Sequence, residues 1–311
     1  MPGEQTAFTV MAVDACLDIL YEASRATVTV NAQIPESNPS APVLGTRRFG
    51  TGTGVDDSGL VLTVNYIVLG ANVVTLTDID GKIYDARVVA QDFATGIALL
   101  RTEDQRIACV AAGSSAETRL GDDVFTVSSV GEEERRSGWG TVISLDPFDA
   151  YWEYRLERAV WATVANPGLG GAPLLNSGGE LIAVVSLNLG AVGRSTLAVP
   201  AESYYDHARE LLTHGRRISR PRRAWLGMFC YSFPDRTVVA GLVAGGPGES
   251  NGLQVGDVIV RIDGEQISDR AELYERLWRR GPGDSVELYV YRDSRLVTVA
   301  VNAGDAEEFF A

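Results

Sequence analysis

Histidine is scarce in this 311-residue chain: only His207 and His214 are present. Both lie on or just after a predicted helix and read as a surface helix face. So few imidazoles exclude the histidine-based ligand sets of hydrolytic metal sites, and no carboxylate cluster at ligand spacing replaces them. No cofactor and no metal is therefore expected. Cysteine is also sparse. Cys16, Cys109 and Cys230 are odd in number and widely spaced, which argues against a disulfide framework or a cysteine zinc site and leaves buried structural thiols. Lys82 is the only lysine and sits on a predicted turn, so a Ser-Lys dyad is unpromising. No apolar run approaches the roughly 20 residues that span a bilayer, so no membrane insertion is expected.

Positive charge is in deficit as well. Lys and Arg total 27 against 41 Asp and Glu, a net charge of −14. Such a surface repels nucleic acid and anionic membranes overall, so no nucleic-acid partner is expected. The stretch from Met1 to Leu20 lacks a basic region and carries Glu4, Asp14 and Asp18. It does not read as a secretory signal, and the expected location is cytoplasmic.

What is present is the composition of a globular chain, 45% hydrophobic and long enough for about two domains. The spacing of Val13, Cys16, Leu17, Leu20 and Ala23 predicts a short helix over 13–25. Thr27 to Val30 alternates like a strand, and Pro35 to Pro42 reads as a loop. From Gly50 to about Ala198 come short β-branched runs punctuated by Gly, Asp and Asn: Leu60–Val64, Val73–Thr77, Ala86–Val89, Ile97–Arg101, Asp123–Ser128, Gly140–Ser144, Leu181–Ser186 and Thr196–Val199. That spacing fits an all-β sandwich or a pair of barrels. Ser203 to Leu212 predicts a closing helix.

Five arginines then crowd residues 215–223 around Pro221. This linker reads either as a solvated hinge near acidic surface or as a docking strip for an acidic partner. Beyond it, short strands, one amphipathic helix (Asp269 to Arg279) and the strands Val286–Tyr291 and Leu296–Val301 predict a second, smaller domain. Glu132-Glu133-Glu134-Arg135-Arg136 reads as a charged loop. The aromatics Tyr151, Trp152, Tyr154 and Trp161 fit a protein interface or a barrel core equally.

Several segments, in order, resemble the HtrA/DegP family of trypsin-like serine proteases. Gly50-Thr51-Gly52 is similar to its Gly-Ser-Gly strand start. Asp56 to Val68 is similar to Asp-x-x-Gly-Tyr-Ile-Leu-Thr-Asn-Asn-His-Val-Val, and Ala90 to Leu100 to Asp-x-x-Thr-Asp-Leu-Ala-Leu-Leu. Asn166-Pro167-Gly168-Leu169-Gly170-Gly171-Ala172-Pro173-Leu174-Leu175 is similar to Asn-Pro-Gly-Asn-Ser-Gly-Gly-Pro-Leu-Leu. In the second domain, Trp225-Leu226-Gly227-Met228 resembles the carboxylate-binding loop of an HtrA-type PDZ domain. Gly246 to Ile259, Ile262-Asp263-Gly264-Glu265 and Gly281-Pro282-Gly283-Asp284 continue that likeness.

The resemblance implies a mainly β architecture: a trypsin-like double β-barrel over residues 8–214, the linker 215–223, a PDZ domain over 224–303 and a tail, 304–311. It also puts the catalytic histidine, aspartate and serine on Tyr66, Gly96 and Gly170. Glycine has no side chain, and a phenol with an ordinary pKa of about 10 is a poor base at neutral pH. Gly168, Leu169 and Gly170 form the former oxyanion loop, read here as a plain tight turn with Leu169 filling the cleft. Ser177 and Ser186 lie near the loop in sequence, with no base beside them.

The expected function is thus an inactive HtrA-like pseudoprotease, a non-enzymatic scaffold, regulatory or structural subunit. The alternatives are a residual or non-standard serine-type endopeptidase, or a holdase-type chaperone. The PDZ likeness implies binding of protein or peptide C-termini by Trp225, Leu226, Gly227, Met228, Phe229, Leu273 and Leu277. Leu273 and Leu277 equally fit ordinary core at i, i+4 spacing. An active relative or a larger enzyme complex is the expected partner, in a homo- or hetero-oligomer. The terminal Phe309-Phe310-Ala311 has the form of a PDZ ligand.

Overall fold

The structure, a computed structural model, describes residues 16–103, 106–189, 195–234 and 236–311. The expected domain start at residue 8, the helical position Val13 and the N-terminal signal reading up to residue 15 lie outside the described residues. The chain divides into two compact units. One holds residues up to Asp92, Gly96–Asp146 and Arg158–Arg217. The other holds Phe93–Thr95, Pro147–Glu157 and Ile218–Ala311.

The first unit contains a closed barrel of six antiparallel strands. In spatial order these are Thr27–Gln33, Arg47–Gly54, Leu60–Val64, Ile97–Thr102, Ile83–Asp92 and Val73–Thr77. The alternation in Thr27-Val28-Thr29-Val30 explains the first strand. Val28 and Val30 are fully buried, and the equally buried threonines find acceptors in Ala23 O (2.8 Å) and Gly131 O (2.8 Å). A buried hydroxyl without such a partner costs a kilocalorie or more per mole, so the pattern is stable only with these bonds made.

A second sheet runs Pro173–Asn176, Asp123–Ser129, Arg135–Ser144, Val160–Ala162, Ser195–Pro200 and Glu180–Leu189, with Ala111–Ala112 at its edge. Pro173–Asn176 also pairs with Glu180–Leu189, which closes this sheet too. Val124, Val142, Val160, Leu174, Ile182 and Val185 fill it. Each such side chain stabilises by about 1.5–3 kcal/mol on burial.

The sequence ran short at the edges of elements. Residues 16–26 are helical, and the stretch expected as one helix from Ser203 is two short ones, Glu202–Tyr205 and Ala208–His214. A four-residue helix, Ala41–Leu44, ends the loop expected over 35–42. Arg135 is not on a free charged loop. It opens a strand and threads its guanidinium to Thr27 O, Thr29 Oγ1 and Thr77 O. Among the cysteines only Cys230 is buried; Cys16 and Cys109 are exposed, because neither sits on an inward-facing strand position.

In the second unit, strands run in the order Met228–Phe233, Arg236–Leu242, Val258–Ile262, Ser285–Arg292 and Arg295–Asn302. The helix Arg270–Leu277 packs on this sheet. Its start is capped on both sides: Asp269 Oδ1 accepts from Glu272 N (2.9 Å), and Glu272 Oε2 accepts from Ser268 N (2.9 Å), the residue before the cap. Leu273, Tyr274 and Leu277 are fully buried on its inner face, in one core with Leu226, Met228, Ile259 and Val290. Arg222 pairs with Asp305 and Glu308, and Arg223 lies 4.0 Å over the Trp278 ring. Two of the five linker arginines are thereby committed to their own unit. Among the described residues no helix is long and apolar enough to cross a membrane.

One buried cation supports the first barrel. Arg48 is 7% exposed, and its guanidinium donates to Gly45 O (3.1 Å), Tyr66 O (2.9 Å), Leu69 O (3.0 Å) and Ser40 Oγ (2.6 Å). Burial lowers its pKa to about 10, still far above neutrality. Arg48→Ala removes a donor from the carbonyls of Gly45, Tyr66 and Leu69, the last two at the short helix Asn65–Val68. We expect a loss of about 3 kcal/mol in the urea unfolding free energy, with Arg48→Lys recovering only part of it.

Candidate active site and peptide groove

Tyr66 sits on the short helix Asn65–Val68, which leaves the strand Leu60–Val64 at the mouth of the first barrel. Its hydroxyl donates to Ser186 O (2.8 Å) and accepts from the N–H of Gly170. The residue is partly exposed, but the phenolic oxygen is enclosed, and this desolvation pushes its pKa up to about 12. The phenol therefore stays protonated in neutral solution. The neighbouring amide, Asn65 N, donates to Gly96 O (2.8 Å). Gly96 itself turns at φ +78°, where the left-handed conformation favours glycine. Tyr66, Gly96 and Gly170, some hundred positions apart in sequence at the extremes, thus meet in one place.

The space at residue 170 is already filled. A Cβ there would stand 2.0 Å from the Tyr66 oxygen and 3.0 Å from Ser186 O. At Gly171, φ is +94° and a Cβ would fall 1.8 Å from Thr51 O. The loop is fastened further: Thr51 N donates to Gly170 O (2.9 Å), Gly171 N to Val185 O (2.7 Å) and Asn188 Nδ2 to Gly168 O (3.0 Å). It is therefore not a free turn, and Leu169, expected to fill the cleft, is 48% exposed because the phenol already occupies that space. Ser186 is buried and Ser177 lies on an exposed turn. His207 approaches Glu210 at 3.9 Å, and His214 ends its helix. Among the described residues no group of three or more His, Cys, Asp or Glu is placed to hold a metal ion.

The second unit carries the groove. The loop Trp225-Leu226-Gly227-Met228 presents its amides at the start of the strand Met228–Phe233, with Gly227 at φ +73°. Those amides are in use. Leu226 N donates to one carboxylate oxygen of Glu153 (2.9 Å) and Met228 N to the other (2.8 Å). The Gly227 amide also bonds this carboxylate. Glu153 belongs to a hairpin of the same unit, in which Phe148–Ala150 pairs with Tyr154–Leu156. Its φ is +51°, a left-handed value that costs a non-glycine residue about 1 kcal/mol or more. The residue keeps partial exposure while its carboxyl group is enclosed, and desolvation outweighs the three amide bonds to push its pKa up to about 7.

The other groove residues divide. Leu226, Met228, Leu273 and Leu277 are 0–1% exposed and belong to the core. Phe229 lies 6.0 Å from the Tyr151 ring, between centroids. Trp225 packs against Phe309 and Phe310, which sit on the terminal helix Ala306–Phe310. The terminal segment expected as a ligand is thus helical and spent on Trp225, and the loop amides are held by Glu153. Tyr151, Trp152 and Tyr154 belong to the hairpin of this unit, while Trp161 lies on a strand of the other. Sequence reasoning missed Glu153, Arg48 and Arg270.

Residues 50–184 match the trypsin-like peptidase domain and residues 218–303 the PDZ domain. The chain thus carries a trypsin-like peptidase domain followed by a C-terminal PDZ domain, and it is similar to proteins named DegP-like and HtrA. A probable periplasmic DegP-like serine endoprotease of Halomonas elongata is 27% identical over 83% of this chain and 57% of its own length. One of Rhizobium meliloti is 29% identical over 84% and 55%. The serine protease Do-like HtrA of Bacillus subtilis is 26% identical over 83% and 64%. The chain therefore spans 55–64% of the length of these curated relatives. In fold it is similar to the HtrA-type protease AlgW with decapeptide, at TM-score 0.56 and 21% identity over 93% of this chain and 98% of that one.

Two expectations are corrected by these relatives. The inactive, non-enzymatic scaffold does not stand, because the relatives are named serine endoproteases and none of these names marks an inactive protein. Missing triad side chains describe one arrangement of one mechanism and do not establish inactivity. The cytoplasmic location does not stand either, because the DegP-like relatives are named periplasmic. The acidic N-terminal composition was too weak a signal to set a compartment.

Two predictions concern these sites. Gly170→Ser drives a Cβ into the Tyr66 oxygen and should cost about 1–3 kcal/mol or more by urea denaturation. In the background of Tyr66→Ala the same substitution should cost at least about 1 kcal/mol less, a positive coupling read from the double-mutant cycle. For Glu153 the folded pKa lies above the ordinary 4.5, so its contribution is most favourable below about pH 4.5 and is lost as pH rises to about 7. The size of that loss is about 3 kcal/mol. The Cys230 thiol and the Tyr274 phenol also face it, and the Arg270 guanidinium acts on both of these. Glu153→Gln should flatten the pH dependence of unfolding between these limits relative to wild type.

Proposed function

We propose that this chain acts on polypeptides in the manner of its DegP-like relatives, as a serine-type endopeptidase with a non-standard site and a PDZ domain that binds peptide. The observation that carries the reading is the continuity of the likeness: relatives named serine endoproteases match across both units, over 83–84% of the chain. The PDZ match adds peptide binding as the companion activity. The reading makes a chemical demand. Hydrolysis here must use a hydroxyl other than at residue 170 and a base other than the Tyr66 phenol, since the first has no side chain and the second stays protonated at neutral pH.

Carry-over of the triad positions to Tyr66, Gly96 and Gly170 is supported by their meeting around one loop. Oligomer formation is part of the same proposal, in keeping with the HtrA-type likeness.

The test is cleavage of casein and of fluorogenic peptides by the full chain, together with a fluorophosphonate probe and mass spectrometry of the labelled protein. The reading expects measurable cleavage abolished by the probe, with one serine labelled. Absence of both cleavage and labelling overturns the endopeptidase reading and leaves peptide binding by the PDZ domain to be judged on its own.

A further inference from the structure

The contacts of the hairpin Phe148–Leu156 have the form of a bound peptide, not of a packed loop. The Glu153 carboxylate accepts from the amides of Leu226 and Met228. Two residues before it, Tyr151 O accepts from Cys230 N (2.6 Å), two residues beyond Met228 on the groove strand. The turn of the hairpin, residues 151–153, therefore passes the groove strand in the antiparallel sense, with a carboxylate at the loop and one main-chain bond two residues along. A peptide added to a sheet edge makes these same two kinds of contact, a carboxylate on the loop amides and a main-chain bond to the edge strand.

The opposite wall of the groove holds the same segment. Arg270, the first residue of the helix Arg270–Leu277, donates through Nε to the Asp149 carboxylate (2.7 Å) and through Nη2 to Asp149 O (2.7 Å). It also donates to Cys230 O (3.0 Å), tying helix and strand together across the hairpin. Tyr274, one turn on, donates to Ala150 O (2.9 Å) and accepts from Glu153 N (2.8 Å). The Tyr151 ring lies over Phe229 and Tyr231, at 6.0 and 5.5 Å between centroids.

We propose that this hairpin is a built-in ligand of the PDZ groove, with Glu153 standing in for the terminal carboxylate of a peptide and Tyr151 for the residue two before it. The inference rests on the reading of this domain as a peptide binder. A free polypeptide C-terminus enters only by displacing Glu153 from the loop amides. The seat of Tyr151 selects peptides with an aromatic residue two before the end. The left-handed backbone at Glu153 means that the hairpin reaches the loop under strain, so a peptide of relaxed geometry competes well.

The test uses the full chain at about pH 8, where the Glu153 carboxyl is ionised. The probe is a fluorescein-labelled peptide copying the segment from Ser144 to Glu153 with Glu153→Ala, so that its only C-terminal carboxylate is the free chain end, with its C-terminal amide as control. Binding is read by anisotropy, and hydrogen exchange is followed at the amides of Leu226, Met228 and Cys230. For Glu153→Ala we expect exchange at these amides to speed up and peptide affinity to rise at least about tenfold, with no binding of the amidated control. Asp149→Ala, which weakens only the Arg270 clasp, should give a smaller shift in the same direction and serves if the first variant fails to fold.

Unchanged exchange and unchanged affinity in both variants overturn the built-in ligand while leaving peptide binding intact. Faster exchange with no binding of the peptide overturns the competition and, with it, the reading of this domain as a peptide binder.

Discussion

A main-chain N–H that points away from its own strand must find an acceptor, and in this chain two loops find theirs in side chains of the same unit. Gly170 N–H is met by the Tyr66 hydroxyl, and the amides of Leu226 and Met228 are met by Glu153. An unpaired buried amide costs a few kilocalories per mole, so each acceptor fixes the shape of the loop it serves. Everything around them is arranged accordingly. Arg48 holds the carbonyls of the turn that carries Tyr66, and Arg270 and Tyr274 hold the hairpin that carries Glu153.

The two acceptors differ in charge and therefore in their response to the medium. The phenol is neutral across the physiological range, held up at about 12 by burial, and its bonds are indifferent to pH there. The carboxyl of Glu153 titrates near neutrality, where a small change of surroundings alters its charge. The first loop is thus held by a constant contact and the second by a condition-dependent one. The difference follows from which side chain each loop recruits, not from the loops, which are both glycine-centred.

Much of the fold was legible in sequence because it rests on local pattern. Valine and threonine alternate from Thr27 to Val30, and the runs from Leu60 and from Ile97 are continuous apolar strands that the barrel buries. The convergence of Tyr66, Gly96 and Gly170 was legible because ordered motifs fix which loops meet. Glu153 was not. It sits among Tyr151, Trp152 and Tyr154, where aromatics dominate any reading, and a single buried acid leaves no periodicity. Its partners lie more than seventy residues away, on a loop whose own sequence announces a carboxylate site without saying whose carboxylate fills it. Arg48 was hidden for a similar reason: one of two adjacent arginines on a strand looks like surface until its burial is seen.

The hairpin also changes what counts as a domain. In the order of the chain it falls inside residues 50–184, the stretch that matches the trypsin-like peptidase domain, yet it belongs to the compact unit that holds residues 218–311. The boundary between the halves is therefore not a single point along the sequence. A fragment cut near Ile218 keeps the groove strand, the carboxylate loop and the helix, but loses the segment seated between them. Its amides are bare where those of the intact chain are clothed. Domain dissection by linear boundaries, the usual route to a small binding module, would here produce a receptor from which the endogenous competitor has been removed.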